Sequence, residues 1–237
     1  MKKLLIILIL CLAWNSQAHA QFIEPDWAWS LDRPTISGTT ISPQYGATNM
    51  TMTGSPTTNV DAIRGQGITT NGTSQYFGVG STLPATNGSW SLCYWMKPTS
   101  FSGVAWGILS PNQIWDGFYS SGGRSLTPVR QINFGSGVTA PGILVAGRWY
   151  HVCFAKSSTQ MWAYGNGQGA TANPVTINQT PALGDQRLYF GTDNQLGGSS
   201  NYWGGTVDDI RLYNRQISDG EVKMIYYQGV GAHSFNF

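Results

Sequence analysis

Short runs of aromatic and β-branched residues, each closed off by Gly, Pro, Asn, Ser or Thr, recur along the chain, and no segment keeps a helical period for long. Trp27 to Leu31, Tyr76 to Val79, Trp90 to Lys97 and Trp106 to Leu109 are the first of these runs. Val129 to Phe134, Tyr150 to Ala155, Met161 to Tyr164, Arg187 to Phe190 and Thr206 to Tyr213 follow. Their length and punctuation predict strands. Strand following strand with no intervening helix excludes a doubly wound parallel sheet and predicts antiparallel sheets packed face to face. The expected fold is therefore all-β, a two-sheet antiparallel β-sandwich or jelly roll, with one short C-terminal helix. Asn166-Gly167, directly after the Met161 to Tyr164 run, supplies the two positive-φ residues of a type I′ hairpin turn.

The helix is announced by Ser218-Asp219-Gly220-Glu221, which has the spacing of a capping box. It is expected to run to about Tyr227. Gly229 and Gly231 then turn the chain into a final strand, Ala232 to Phe237, laid beside Trp27 to Leu31, which would protect the edges at both termini.

Met1 to Ala20 carries two lysines, an apolar run from Leu4 to Ala13 and the small-residue site Ala18-His19-Ala20. That is the pattern of a secretory signal peptide cleaved after Ala20, with Cys11 inside the discarded segment. The run is too short for a permanent span, and no later segment offers the roughly 20 apolar residues a span requires. Residues 21–237 then form one domain, secreted to the exterior or periplasm. Without Lys2 and Lys3 the basic and acidic side chains balance at eleven each. Nucleic acid is a poor partner for such a chain, because phosphate binding needs a clustered positive field.

Several pieces, in order, carry a resemblance over nearly the whole mature chain. They are Trp29-Ser30-Leu31-Asp32, Gly72-Thr73-Ser74-Gln75-Tyr76-Phe77, Trp90-Ser91-Leu92-Cys93-Tyr94-Trp95-Met96-Lys97-Pro98, Gly147-Arg148-Trp149-Tyr150-His151-Val152-Cys153, Tyr164-Gly165-Asn166-Gly167 and Gly205-Thr206-Val207-Asp208-Asp209-Ile210-Arg211-Leu212-Tyr213-Asn214-Arg215-Gln216-Ile217-Ser218. The chain resembles the laminin G-like and pentraxin-like domains of the concanavalin A-like lectin/glucanase jelly rolls. His151-Val152-Cys153 also resembles the pentraxin signature, from which Ala155 and Lys156 depart. The resemblance implies a lectin-like, non-catalytic module that recognises an extracellular glycan or glycoprotein through loops at one rim. The alternative is a structural or adhesive component of a cell surface, appendage or phage particle. Pentraxin-like proteins join the strands that correspond to those of Cys93 and Cys153. These are the two thiols left after signal cleavage, so a disulfide between them is expected in an oxidising compartment.

Candidate site residues follow from residue type and setting. A retaining glycosidase needs two carboxyl groups about 5–5.5 Å apart. The chain has two glutamates, of which Glu24 is near the N-terminus and Glu221 fits the helix cap. Asp208-Asp209 are adjacent and would face opposite sides of a strand. His151 reads as a buried, hydrogen-bonded structural residue and His233 as a solvated terminus, so no catalytic set is expected. Trp115, in a Pro111 to Gly117 turn, and Trp203, beside Tyr202 in a Gly/Ser/Asn-rich loop, either stack on a sugar or pack within their loops. Asp193, Asn194 and Gln195 lie about where the pentraxin pattern places calcium ligands. Calcium wants six to eight oxygens, so Asp61, Asp116 or Asp185 would have to converge on them. The sequons at Asn49, Asn71, Asn87 and Asn178 are polar turns unless the host glycosylates them. If the leader is cleaved as read, exported protein begins at Gln21 or its cyclised pyroglutamate, and intact-mass spectrometry of exported material checks it.

Overall fold

A computed structural model describes residues 23–79, 89–99, 104–109, 115–119, 132–134, 138–139, 145–157, 159–170, 173–176, 187–192 and 202–234. The expected leader, Met1 to Ala20, lies outside the described residues. Two antiparallel sheets face each other. Sheet I runs β15 (Gln168–Gly169), β14 (Gln160–Gly165), β13 (Tyr150–Lys156), β8 (Trp90–Pro98), β18 (Gly204–Tyr213), β6 (Gly67–Asn71), β5 (Thr57–Asn59). In the same sheet β1 (Trp27–Trp29) pairs with β18 and β16 (Val175–Thr176) pairs with β14. Sheet II runs β12 (Val138–Thr139), β11 (Ile132–Phe134), β10 (Trp115–Tyr119), β9 (Val104–Leu109), β17 (Arg187–Phe190), β7 (Tyr76–Val79), β4 (Met50–Thr53), β3 (Thr40–Ile41), β2 (Ile36–Ser37). This is the expected sandwich.

The pleat sorts side chains between faces. Leu92, Tyr94 and Met96 of β8, with Val152 and Phe154 of β13, point inward from sheet I. They meet Ile41, Met50, Phe77, Val79, Leu188 and Phe190 of sheet II. Phe77 stacks on Phe190 at 5.2 Å, and Tyr94 meets Phe190 edge-on at 5.4 Å. Trp29 is buried with them and donates its indole N–H to the Thr48 carbonyl at 2.9 Å.

The other face of sheet I carries a second core. Cys93, Cys153, Ala155, Tyr164 and Tyr213 point outward and are covered by Ile217, Val222 and Ile225. The last two belong to α1 (Asp219–Ser234). Its capping box is formed: Glu221 N–H donates to Ser218 Oγ at 3.3 Å and Ser218 N–H to Glu221 Oε2 at 2.8 Å. Arg215 adds a charge-assisted bond to Glu221 at 2.5 Å, and that hydrogen bond leads in holding the carboxyl down at about 2. The hairpin turn is also as expected, with positive φ at both Asn166 and Gly167.

Two expectations are corrected. The chain does not turn at Gly229 into a strand; α1 continues through Gly229 and Gly231 to Ser234, and β1 pairs instead with the far end of β18. Gly229 is a packing residue, since a Cβ there would come within 2.5 Å of the Trp95 indole. Glycine costs an exposed helix about 1 kcal/mol relative to alanine, and here it allows the helix to close on that ring. Secondly, Asp208 and Asp209 do not alternate. The β18 register against β8 shifts between Asp208 and Arg211, and Asp209 sits at φ 47°. At this bulge the neighbour of β18 changes from β6, paired with Gly204 to Val207, to β1, paired with Ile210 to Leu212.

Buried Asp208 ties the junction together. It accepts the N–H groups of Ile63 and Arg64 at 2.9 Å each, and that of Asp209 at 2.7 Å. Burial pushes its pKa well up, while the Arg64 and Asp209 donors pull the other way. Asp209 forms a two-pronged pair with Arg211 at 3.1 and 2.8 Å. Arg211 in turn donates to the Gln228 side chain of α1 at 2.9 Å. Asp208→Ala strands three backbone donors at roughly 1–3 kcal/mol each. We expect a loss of about 3 kcal/mol or more, measured by urea denaturation.

Candidate functional site

Among the described residues, the aromatic positions singled out by sequence, Trp115, Tyr202 and Trp203, do not gather at one rim. Trp203 is the clearest correction: it is 3% exposed and belongs to the inter-sheet core. Its N–H donates to the Gly191 carbonyl at 3.0 Å and its own carbonyl accepts Thr70 Oγ–H at 2.7 Å. These bonds pull the residue inward from a loop whose composition suggests exposure, and Gly205 leaves room for the ring. Tyr202 stays half-buried and bridges to Thr192 across the loop mouth. Asp193, Asn194 and Gln195 lie outside the described residues, in the segment between those two bridge partners. Trp115 begins β10 instead of lying in a turn, opposite Leu109, which is opposite Arg187. It is thus level with the start of β17, whereas Thr192 follows the end of that strand. At about 3.3 Å per residue the two positions are roughly 16 Å apart along the strand.

Asp61 is occupied by the fold. Trp149 donates its indole N–H to one oxygen at 3.2 Å, and Lys97 pairs with the other. At the Asn71 sequon, Oδ1 accepts the N–H groups of Thr73, Ser74 and Gln75 at 2.9, 3.0 and 3.2 Å, so this asparagine is a turn residue.

The sheet register shows what the sequence reading missed. On the outer face of sheet II one file runs Thr51, Gly78, Tyr189, Gly107, Gly117, Asn133, Thr139, each paired with the next across neighbouring strands. Tyr189 points away from the core, because Leu188 and Phe190 on either side of it are fully buried. Seven strands at about 4.8 Å make the file roughly 29 Å long. Three of its positions are glycine, so the sheet backbone forms much of its floor. The Tyr189 ring lies over Gly78, where a Cβ would come within 2.8 Å of it. Tyr76 meets Tyr189 edge-on at 5.8 Å. Arg187, Leu109 and Trp115 form the adjacent file on one side. No single stretch of sequence carries this signal, since the glycines are scattered over three strands.

A second cluster lies under α1. Cys93 and Cys153 are directly opposite on β8 and β13 and are joined, with an S–S bond of 1.99 Å and Cα atoms 4.1 Å apart. The expected disulfide is present. His151, two residues along β13, turns its Nε2 towards Cys153 Sγ at 3.8 Å. Its ring is 5.1 Å from that of Trp95, and Tyr226 closes the group from α1. Burial lowers the His151 pKa to about 3, so the imidazole is neutral. The histidine is buried as expected and bonded through Nε2 to Cys153 Sγ, but its hydrogen bonding is incomplete, because Nδ1 is buried without a partner.

The family model described as the concanavalin A-like lectin/glucanases superfamily matches residues 71–223, well over half of the chain. The chain belongs to that family. No curated protein matches it. Among solved structures, Domain 4 of AbnA, a GH43 extracellular arabinanase from Geobacillus stearothermophilus in complex with arabinotriose, is 16% identical. It superposes with a TM-score of 0.61 over 84% of this chain and 97% of that one. Trypanosoma rangeli sialidase is 15% identical with a TM-score of 0.58 over 87% of this chain, which spans 33% of the sialidase. The native heptameric SAP-like pentraxin of Limulus polyphemus is 19% identical with a TM-score of 0.50, over 64% of this chain and 75% of that one. At these identities the likeness is one of fold, shared by enzymes and lectins. Among the described residues no helix is long and apolar enough to cross a membrane.

The disulfide closes a separation of 60 residues. Loop-closure entropy over such a length corresponds to about 4 kcal/mol. Reduction in metal-free buffer is expected to lower the denaturation free energy by about that amount without dispersing the sandwich, as followed by urea melts of oxidised and reduced protein.

Proposed function

We propose that this domain is a secreted, non-catalytic carbohydrate-binding module that lays an extended glycan across the outer face of sheet II. The observation that carries this reading is the file of Gly78, Gly107 and Gly117 around Tyr189. Bare backbone makes a shallow floor, and Tyr189, held edge-on by Tyr76, offers an aromatic platform whose face suits the C–H side of a sugar ring. Trp115, in the adjacent file, is a flanking aromatic position. The likeness to an arabinanase domain solved with arabinotriose supports the reading, as does family membership. The leader-like first twenty residues support secretion. Tyr202, bridged to Thr192 just past the end of β17, flanks the middle of the groove in this reading, and calcium on Asp193, Asn194 and Gln195 is proposed as an auxiliary element. The carboxylates that the fold consumes, Asp208 and Asp209 at the bulge and Glu221 at the cap, support a role without catalysis.

The test is calorimetry against linear arabino-, xylo- and gluco-oligosaccharides of three to six units. Tyr189→Ala is expected to weaken binding tenfold or more, the scale of a central aromatic anchor. Gly107→Val is expected to weaken it by obstructing the floor while leaving the melting temperature unchanged or raised, since valine suits a strand better than glycine. Unchanged affinity in both variants overturns the groove. Affinity unchanged by EDTA removes calcium from the reading.

A further inference from the structure

The pocket under α1 contains more chemistry than a cross-link requires. Cys93 Sγ, Cys153 Sγ and a nitrogen of His151 all lie within 4.8 Å of one another, and all three residues are buried. We propose that reduction of the disulfide turns this cluster into a binding site for one thiophilic divalent cation, zinc above others, so that the β8–β13 seam is clamped by a metal in a reducing environment and by a disulfide in an oxidising one.

Geometry is the first argument. Ligands held tetrahedrally at about 2.0–2.3 Å from zinc are separated by roughly 3.3–3.8 Å. His151 Nε2 and Cys153 Sγ are already 3.8 Å apart. Once the S–S bond is cut, the ladder from Tyr150 opposite Met96 to Lys156 opposite Trp90 still holds the two cysteines face to face. The sulfurs need only rotate apart to admit an ion. Their seat on a central pair of strands under a helix pre-organises the ligands.

Charge is the second. Two thiolates and a divalent cation sum to zero, the one charge state that a shell of Ala155, Tyr164, Val222 and Ile225 tolerates well. A monovalent soft cation leaves a buried negative charge. Calcium prefers six to eight oxygen ligands and finds sulfur and nitrogen here. The tautomer that presents the Nε2 lone pair carries its proton on Nδ1, which is buried without a partner, so coordination has to offset the cost of that unpaired N–H. Among the described residues no fourth side chain completes the set, which leaves one position for a water or an external thiol.

The balance is simple. A dithiol delivers two electrons and two protons to the Cys93–Cys153 bond and becomes a disulfide itself. The cation then displaces one proton from each thiol into solvent and accepts the imidazole lone pair, with no change in its own oxidation state.

The experiment uses the whole exported protein, reduced with a dithiol, freed of it under anaerobic conditions and titrated with cobalt(II) as the spectroscopic probe. One equivalent is expected to produce the near-ultraviolet thiolate charge-transfer band and the intense visible bands of a tetrahedral sulfur-ligated site, both abolished by one equivalent of zinc. Zinc-loaded reduced protein is expected to melt above metal-free reduced protein. His151→Ala is expected to lose at least tenfold in cobalt affinity, and Cys93→Ser to lose the charge-transfer signal. Circular dichroism confirms that each variant is folded. Should His151→Ala unfold, the comparison passes to His151→Gln, which keeps a polar side chain of similar reach. The absence of a one-to-one cobalt spectrum in folded, reduced wild-type protein overturns the proposal. So does an unchanged affinity in the folded His151 variant. Neither result bears on glycan binding, which is measured on the oxidised protein.

Discussion

Everything else in the sandwich is arranged around the bulge at Asp208-Asp209. β18 is the long strand of sheet I, and it serves β6 with its first half and β1 with its second. A flat strand cannot hand over neighbours without leaving backbone groups exposed at the join. The positive φ of Asp209 takes up the extra length, and the Asp208 carboxylate satisfies the N–H groups of the chain that arrives from β5. The Asp209–Arg211 pair then passes the constraint outward to Gln228 of α1. Two adjacent acids that resemble part of a catalytic pair are thus consumed by topology. Their cost in desolvation is offset because each is bonded on several sides.

The two outer faces are used in opposite ways. On sheet I, outward Cys93, Cys153, Ala155 and Tyr213 are small or apolar and receive the helix, so this face becomes a second core. On sheet II the outward file holds glycines, a tyrosine and exposed threonine. A covered face keeps the disulfide and His151 out of water. On the other face three glycines, Gly78, Gly107 and Gly117, interrupt the central file. The proposed binding surface and the stabilising surface therefore sit back to back across the inter-sheet core.

Legibility in the sequence followed the strength of the local signal. The runs at Tyr76 to Val79, Trp90 to Lys97, Tyr150 to Ala155 and Thr206 to Tyr213, the Asn166-Gly167 turn and the Ser218 to Glu221 cap each carry their geometry within a few residues, and each formed where expected. Met50 to Thr53, Thr57 to Asn59 and Gly67 to Asn71 were missed as strands. Their threonine, asparagine and glycine content reads as loop until a neighbouring strand supplies hydrogen bonds. Trp203 was misplaced for a related reason: glycine, serine and asparagine around it describe the loop's backbone, whereas its own burial was settled by Gly191 and Thr70, distant in the chain. The end of α1 was misread because Gly229 signals a stop in isolation and a close contact beside Trp95.

By itself, then, the sequence determined the class of fold, the order of the main strands, the helix start and the two cysteines available to bridge, because each depends on short-range periodicity, turn chemistry or simple availability. Only the tertiary structure decided which residues share a surface. Gly78, Gly107, Gly117 and Tyr189 are brought into one file by register between strands far apart in the chain, and His151 is set against Cys153 by the pleat and sealed by a helix some seventy residues later. Side-chain neighbours across a sheet are fixed by long-range pairing, which periodicity within one strand does not encode.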